Sequence, residues 1–88
     1  MAEETRVWLV ERSYGRSEDL VTLVYATTDG RSQLKQQLSH NMLYGKEITA
    51  ARDVAPDELD DVKDEETRER FETEASRMAE KHDPDEEV

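Results

Sequence analysis

The sequence predicts a small α+β domain of order β-β-α-β-α, a three-stranded antiparallel sheet with two helices mainly on one face. Three observations predict it. Residues 6–12 and 20–26 are runs of β-branched and aromatic residues joined by a short polar loop holding Gly15, the pattern of a β-hairpin. Leu34, Leu38 and Met42 recur every fourth residue, a narrow apolar stripe at helical spacing. Phe71, Ala75, Met78 and Ala79 repeat at i, i+4, i+7 and i+8, in a segment that Asp64 can cap and Asp83-Pro84 stops.

Taken in order, residues 1–5 are a short acidic lead. In the first strand Trp8 and Val10 point to one face, and Val7, Leu9 and Glu11 to the other. With Leu9 opposite Val24, Trp8 faces Tyr25 and Val10 faces Leu23, which makes one bulky aromatic face and one smaller aliphatic face. A one-residue slip would exchange those partners. Neither face is free of apolar groups, whereas a free-standing antiparallel sheet keeps one side polar. Either helices cover one face and part of the other, or the second face meets another copy of the chain. Under the second reading Val7, Leu9, Val24 and Ala26 are the dimer-interface candidates, with Trp8 and Tyr25 inside each subunit.

Asp29-Gly30 ends the second strand, and Asp29 or Ser32 can cap a helix over residues 31–44, which Gly45 terminates. No acid occurs from Gly30 to Lys46, where the average of the chain would place roughly four. Either the helix is half-buried against the connector or a second subunit, which excludes acids by desolvation, or Arg31, Lys35, Gln36, Ser39, His40 and Lys46 are candidate partner-binding residues. Residues 47–54 read as a third strand with Ile48, Ala50 and Val54 inward. Pro56 suits the first position of a helical turn, and Leu59 and Val62 anchor the acidic connector that follows. The last helix spans 65–81, with Glu65 and Glu66 at its positive end and Glu66–Arg70, Arg68–Glu72 and Arg70–Glu74 spaced as ion pairs. Residues 1–82 form one domain, and 83–88 are expected to be a disordered acidic tail.

Composition limits what such a domain can be. Only 34% of the 88 residues are hydrophobic, against roughly 45–50% in ordinary globular chains, so the core of one subunit is thin. Salt or a second copy is expected to supply the missing stability. The absence of cysteine excludes disulfides and thiolate metal sites. No apolar run is long enough for a membrane span, and residues 1–4 lack the basic region and apolar core of a signal peptide. A cytoplasmic protein is the expectation.

The charge is unevenly spread. Residues 1–46 hold six acids and six bases, while 47–88 hold seventeen acids and six bases and so carry the whole net charge of −11. The bases lean to arginine, eight against four lysines. An acid-rich, lysine-poor, apolar-poor chain resembles the proteins of salt-loving archaea. The aromatic hairpin followed by a strongly acidic C-terminal helix is similar to small uncharacterised haloarchaeal proteins. That resemblance brings no known activity and no functional residues with it.

The motifs for chemistry are few. The histidines are His40 and His82, and Ser39 beside His40 on a helix would point about 100° away from it, so the two could not form a nucleophile–base pair. There is no Gly-rich phosphate loop and no nucleophile elbow around Gly15-Arg16-Ser17. Asp57, Asp60, Asp61 and Asp64 lack the central glycine and closing glutamate of a calcium loop and read as a solvated face, so no metal and no cofactor is expected. The expectation is a non-enzymatic interaction module of a halophile, homodimeric, with a protein partner at the acid-free helix. The alternative is a nucleic-acid-associated regulator using that helix, although the acidic half would repel phosphate.

Overall fold

The computed structural model describes residues 3–14, 20–39 and 48–88. Within them lie β1 (Thr5–Tyr14), β2 (Leu20–Ala26), β3 (Ser32–Ser39), β4 (Ala51–Val54), β5 (Asp60–Asp61) and one helix, α1 (Glu65–Lys81). A single 3-10 turn, Pro56–Glu58, precedes β5. The strands form one antiparallel sheet of spatial order β4-β1-β2-β3-β5. The α+β class stands. The three-stranded sheet with two helices does not: the described residues hold five strands and one helix.

The largest correction is the acid-free segment, expected as a helix over 31–44. Its residues 32–39 are β3, paired with β2 from Leu20↔Ser39 to Ala26↔Gln33. Leu34 and Leu38 lie four apart, which is close to one helical turn but also two strand repeats, so their spacing fits both structures. Asp29-Gly30 separates the two. Gly30 sits at φ 71, a conformation only glycine adopts freely, and its N–H donates to Thr27 O at 2.9 Å. The Asp29 carboxylate accepts from Thr27 Oγ1 at 2.6 Å and from Arg31 N–H at 3.0 Å. Those two hydrogen bonds hold its carboxyl below the usual carboxylate range. Thr27 N–H then donates to Ser32 O at 3.1 Å and closes a β2–β3 hairpin. Cross-strand pairing overrides the helix preference of Leu, Lys and Gln. Met42, Tyr44 and Gly45 lie outside the described residues.

The β1–β2 register also differs from the expected one. Trp8 pairs with Ala26 and Leu9 with Tyr25, and the register then shifts so that Glu11 meets Val24 and Arg12 meets Leu23. Val10 is the extra residue of a bulge, which keeps Val10 and Glu11 on the same side of the sheet. Trp8 and Tyr25, expected on one aromatic face, therefore lie on opposite faces. Trp8 packs with Ala50, Ala51 and Ala75, whereas Tyr25 packs with Val7, Leu9, Leu23 and Val54.

Each face has its own cover. α1 starts at Asp64, whose carboxylate accepts from Thr67 N–H at 3.0 Å, and lays Phe71 and Ala75 against Trp8, Val24 and Ala26. Met78 is half-buried and Ala79 is exposed, so the apolar stripe is narrower than the spacing suggests. None of the three i,i+4 ion pairs expected within the helix forms. Arg68 donates instead to the Val62 carbonyl, and Arg70 reaches Glu11 on β1 at 3.6 Å. Val7, Leu9, Val21, Leu23, Tyr25, Leu38 and Val54 build the opposite layer, with Leu34, Ile48, Leu59 and Val88 half-buried around it.

Residues 83–88, expected to be a disordered tail, return along the stretch that leads into β4. Ala51 N–H donates to Pro84 O at 3.0 Å, Ala50 N–H to Glu86 O at 2.8 Å, and Val88 N–H to Ile48 O at 2.9 Å. Arg12 Nη2 donates to Val88 O at 3.1 Å. The acidic side chains stay in solvent while the backbone between them satisfies an open sheet edge.

The β2–β3 turn and α1 meet at Gly30, which is buried although it lies in a turn. A Cβ there would overlap the Arg68 carbonyl oxygen and stand 2.8 Å from the Glu72 nitrogen, both helix backbone atoms that cannot move aside. Gly30→Ala is therefore expected to destabilise the fold by about 2–4 kcal/mol, combining left-handed strain with overpacking. Urea unfolding checks it, and a loss under about 0.5 kcal/mol would show that the turn and helix are not packed this closely.

Candidate functional site

Residues 32–39 of the acid-free segment form a strand whose backbone is partly open among the described residues. On its inner side β3 is fully paired with β2; on its outer side β5 covers only Ser32 and Gln33. Both backbone groups of an antiparallel residue point the same way, and the direction alternates along the strand. Ser32 O accepts from Thr27 on the β2 side, and Arg31 O accepts from Val62 N–H on the β5 side at 2.8 Å. Odd-numbered residues of β3 therefore direct their N–H and C=O outward. Beyond Gln33 these are Lys35, Gln37 and Ser39, and among the described residues no strand lies against them.

The side chains on this edge divide between the two faces. Lys35 and Gln37 are exposed, on the face that α1 covers further in. Leu34, Gln36 and Leu38 lie on the other face, opposite Tyr25, Leu23 and Val21 of β2. Gln36 is tied down there by Arg52 of β4, whose Nη1 donates to the Gln36 Oε1. To reach it, Arg52 crosses the two strands between β4 and β3 and sets its guanidinium 5.7 Å from the centre of the Tyr25 ring. Burial raises the Tyr25 phenol above its usual pKa, and the nearby charges of Arg52 and Arg12 pull it partly back. Arg31 and Lys35 form no ion pair among the described residues.

Of the candidate partner-binding residues, Arg31, Lys35 and Gln36 come together at this edge, and the backbone of Ser39 ends it opposite Leu20. His40 and Lys46 lie outside the described residues. The second histidine, His82, contacts the Glu86 carboxylate through Nδ1 and helps hold the returning tail. Val7, Leu9, Val24 and Ala26 do not make a surface. They are 0%, 8%, 2% and 0% exposed within one subunit, and the bulge at Val10 leaves Val7 and Leu9 on one face with Val24 and Ala26 on the other. Gln37 and Arg52 belong to the site although their identities alone do not mark them. Asp29-Gly30 between two alternating runs was the available signal for the former, since it announces a hairpin.

Removing Arg52 tests the cross-sheet brace. Arg52→Ala loses a cation over a ring and a hydrogen bond to Gln36, so a stability loss of about 1–2 kcal/mol is expected by urea unfolding. It also removes the first cation that lowers the Tyr25 phenol, so that phenol should ionise at higher pH still, read from tyrosinate absorbance. The sign is that of a raised acid: the folded state favours the neutral phenol, its contribution is full below about 10 and is lost as pH rises through the folded value. An unchanged phenol titration would mean that Arg52 does not lie over Tyr25.

No helix among the described residues is long and apolar enough to cross a membrane. No curated protein and no solved structure matches the chain. A family model described as a family of unknown function (DUF7967) matches residues 1–88, and the chain belongs to that family.

Proposed function

We propose that this member of the family is a small non-catalytic interaction module, adapted to a cytoplasm of high salt, that works as a homodimer. The observation that carries the reading is the open edge of β3. In a chain of net charge −11, β3 has among the described residues no strand against the outer backbone of Lys35 and Gln37, and it is set in a segment without a carboxylate. A carboxylate beside an approaching partner would cost desolvation and repulsion, and its absence over seventeen residues removes both. At the opposite edge of the sheet the returning tail bonds to the stretch before β4 and to Ala51 at its start.

Salt adaptation has a separate physical support. α1 and the segments around it hold most of the seventeen acids of the second half, and their side chains are largely exposed. Near 0.01 M salt the screening length is roughly 30 Å, so most of these charges repel one another; near 1 M it is about 3 Å, and the repulsion is confined to neighbours. The nucleic-acid alternative rests on a helix over 31–44, of which residues 32–39 are a strand, and the acidic second half opposes phosphate.

Two measurements test the proposal. The melting temperature should climb steeply between low and molar potassium chloride, and a value flat over that range removes the salt adaptation. Light scattering in molar salt at tens of micromolar should give twice the chain mass, and Lys35→Glu, which places acids on the edge, should shift it toward one chain without lowering the melting temperature of the subunit, since Lys35 is exposed. A wild-type chain that stays monomeric under those conditions sinks the homodimer.

A further inference from the structure

We infer that the occupant of the open β3 edge is β3 of a second copy, paired antiparallel about a two-fold axis through Gln36, so that two five-stranded sheets become one of ten. The inference rests on the homodimer proposed above and adds its surface and register.

The register follows from what is already occupied. β5 fills the outer side of Ser32 and Gln33, so the free length begins at Leu34 and the described strand ends at Ser39. Two copies can pair through their outward groups only if odd residues meet odd residues. Centring the axis on Lys35 fails twice: it sets two ammonium groups opposite each other, and it needs the outer side of Gln33, where Asp60 already lies. Centring it on Gln36 pairs the window 34–38 evenly, with Ser39 of each copy turning out of the strand line before the outer side of Gln33, where Asp60 lies. Lys35 then stands opposite the partner's Gln37, and Leu34 opposite the partner's Leu38. Centring on Gln37 instead would put Leu38 opposite a glutamine and separate the leucines.

Side-chain chemistry favours the same arrangement. Leu34 is half-buried at the rim of the Tyr25 layer, and Leu38 is buried in it, so a cross-strand leucine pair continues that layer into the second subunit. On the other face the strand presents Gln33, Lys35 and Gln37, and each lysine gains an amide neighbour in place of water. A lysine at the centre of an edge normally discourages pairing. Here it discourages the lysine-on-lysine register and leaves the glutamine-centred one, so it acts to select alignment. Charge supports a second copy over an unrelated acidic strand, because Asp60 and Asp61 of β5 flank the window and would face that strand's carboxylates.

The test uses the absence of cysteine in this chain. At the axis the two Gln36 residues form a non-hydrogen-bonded pair, whose Cα atoms stand roughly 4.5 Å apart, within the span of a disulfide. Gln36→Cys should oxidise in molar salt to a covalent dimer that a reductant dissolves, while Lys35→Cys and Gln37→Cys, each two residues out of line with itself, should not. Gln37→Pro removes one outward N–H and leaves the β2–β3 ladder intact, so it should be monomeric with an unchanged far-ultraviolet dichroism spectrum. A wild-type dimer whose Gln36→Cys variant does not cross-link, or whose Gln37→Pro variant remains dimeric, overturns the edge and leaves the homodimer standing. A monomeric wild type overturns both.

Discussion

A strand that is apolar on both faces has to be covered twice, and in this chain that strand is β2. Val21, Leu23 and Tyr25 face one way, Val24 and Ala26 the other, and all five are buried. With only about a third of its residues hydrophobic, the chain cannot spend a full helix stripe on each side. It uses α1 on one face, through Phe71 and Ala75, and on the other it collects half-buried residues from several segments, Ile48, Leu59 and Val88 among them. The close approach at Gly30 serves the first cover: without a side chain there, the turn lets the backbone of α1 come down far enough for those two residues to reach the sheet.

The same economy governs the charges. The carboxylates sit on elements whose backbones are satisfied by something else, in α1 by its own hydrogen bonds and in the tail by the approach to β4. Along the open outer side of β3 the acids are missing, whereas the short outermost strand β5 is Asp60–Asp61. An isolated edge strand is a hazard, because unpaired N–H and C=O groups accept any strand that arrives. In the proposed homodimer, a surface of like charge keeps unrelated acidic proteins away, and the carboxylate-free gap in it lets the two copies meet.

Arg52 links the edge to the rest of the sheet. By crossing Tyr25 to Gln36 it joins β4 to β3, which share no backbone hydrogen bonds. Gln36 is thus held from within while its neighbours Lys35 and Gln37 face solvent. An edge whose central side chain is fixed is better prepared to pair in one register than an edge free to twist, since less order has to be gained on contact.

Much of this molecule is legible in the residues themselves. The hairpin of the first two strands, the capped helix over 65–81, the helical turn at Pro56 and the acid-free gap are local properties, decided by propensity, capping and charge within a few residues. The sequence alone does not determine partners. Whether Leu34 and Leu38 belong to a helix or a strand depends on whether β2 offers an edge at the right distance, and their spacing of four is silent on it. Which residue of β1 faces which of β2 depends on one bulge at Val10, and a single-residue shift exchanges core for interface, which is how Val7, Leu9, Val24 and Ala26 could be read as a surface. The acidic tail gains its order from the open backbone of residues 48–51, more than thirty positions away in the chain. Local chemistry decides what each segment can be; only the tertiary structure decides which of those possibilities finds its missing hydrogen bonds and apolar cover.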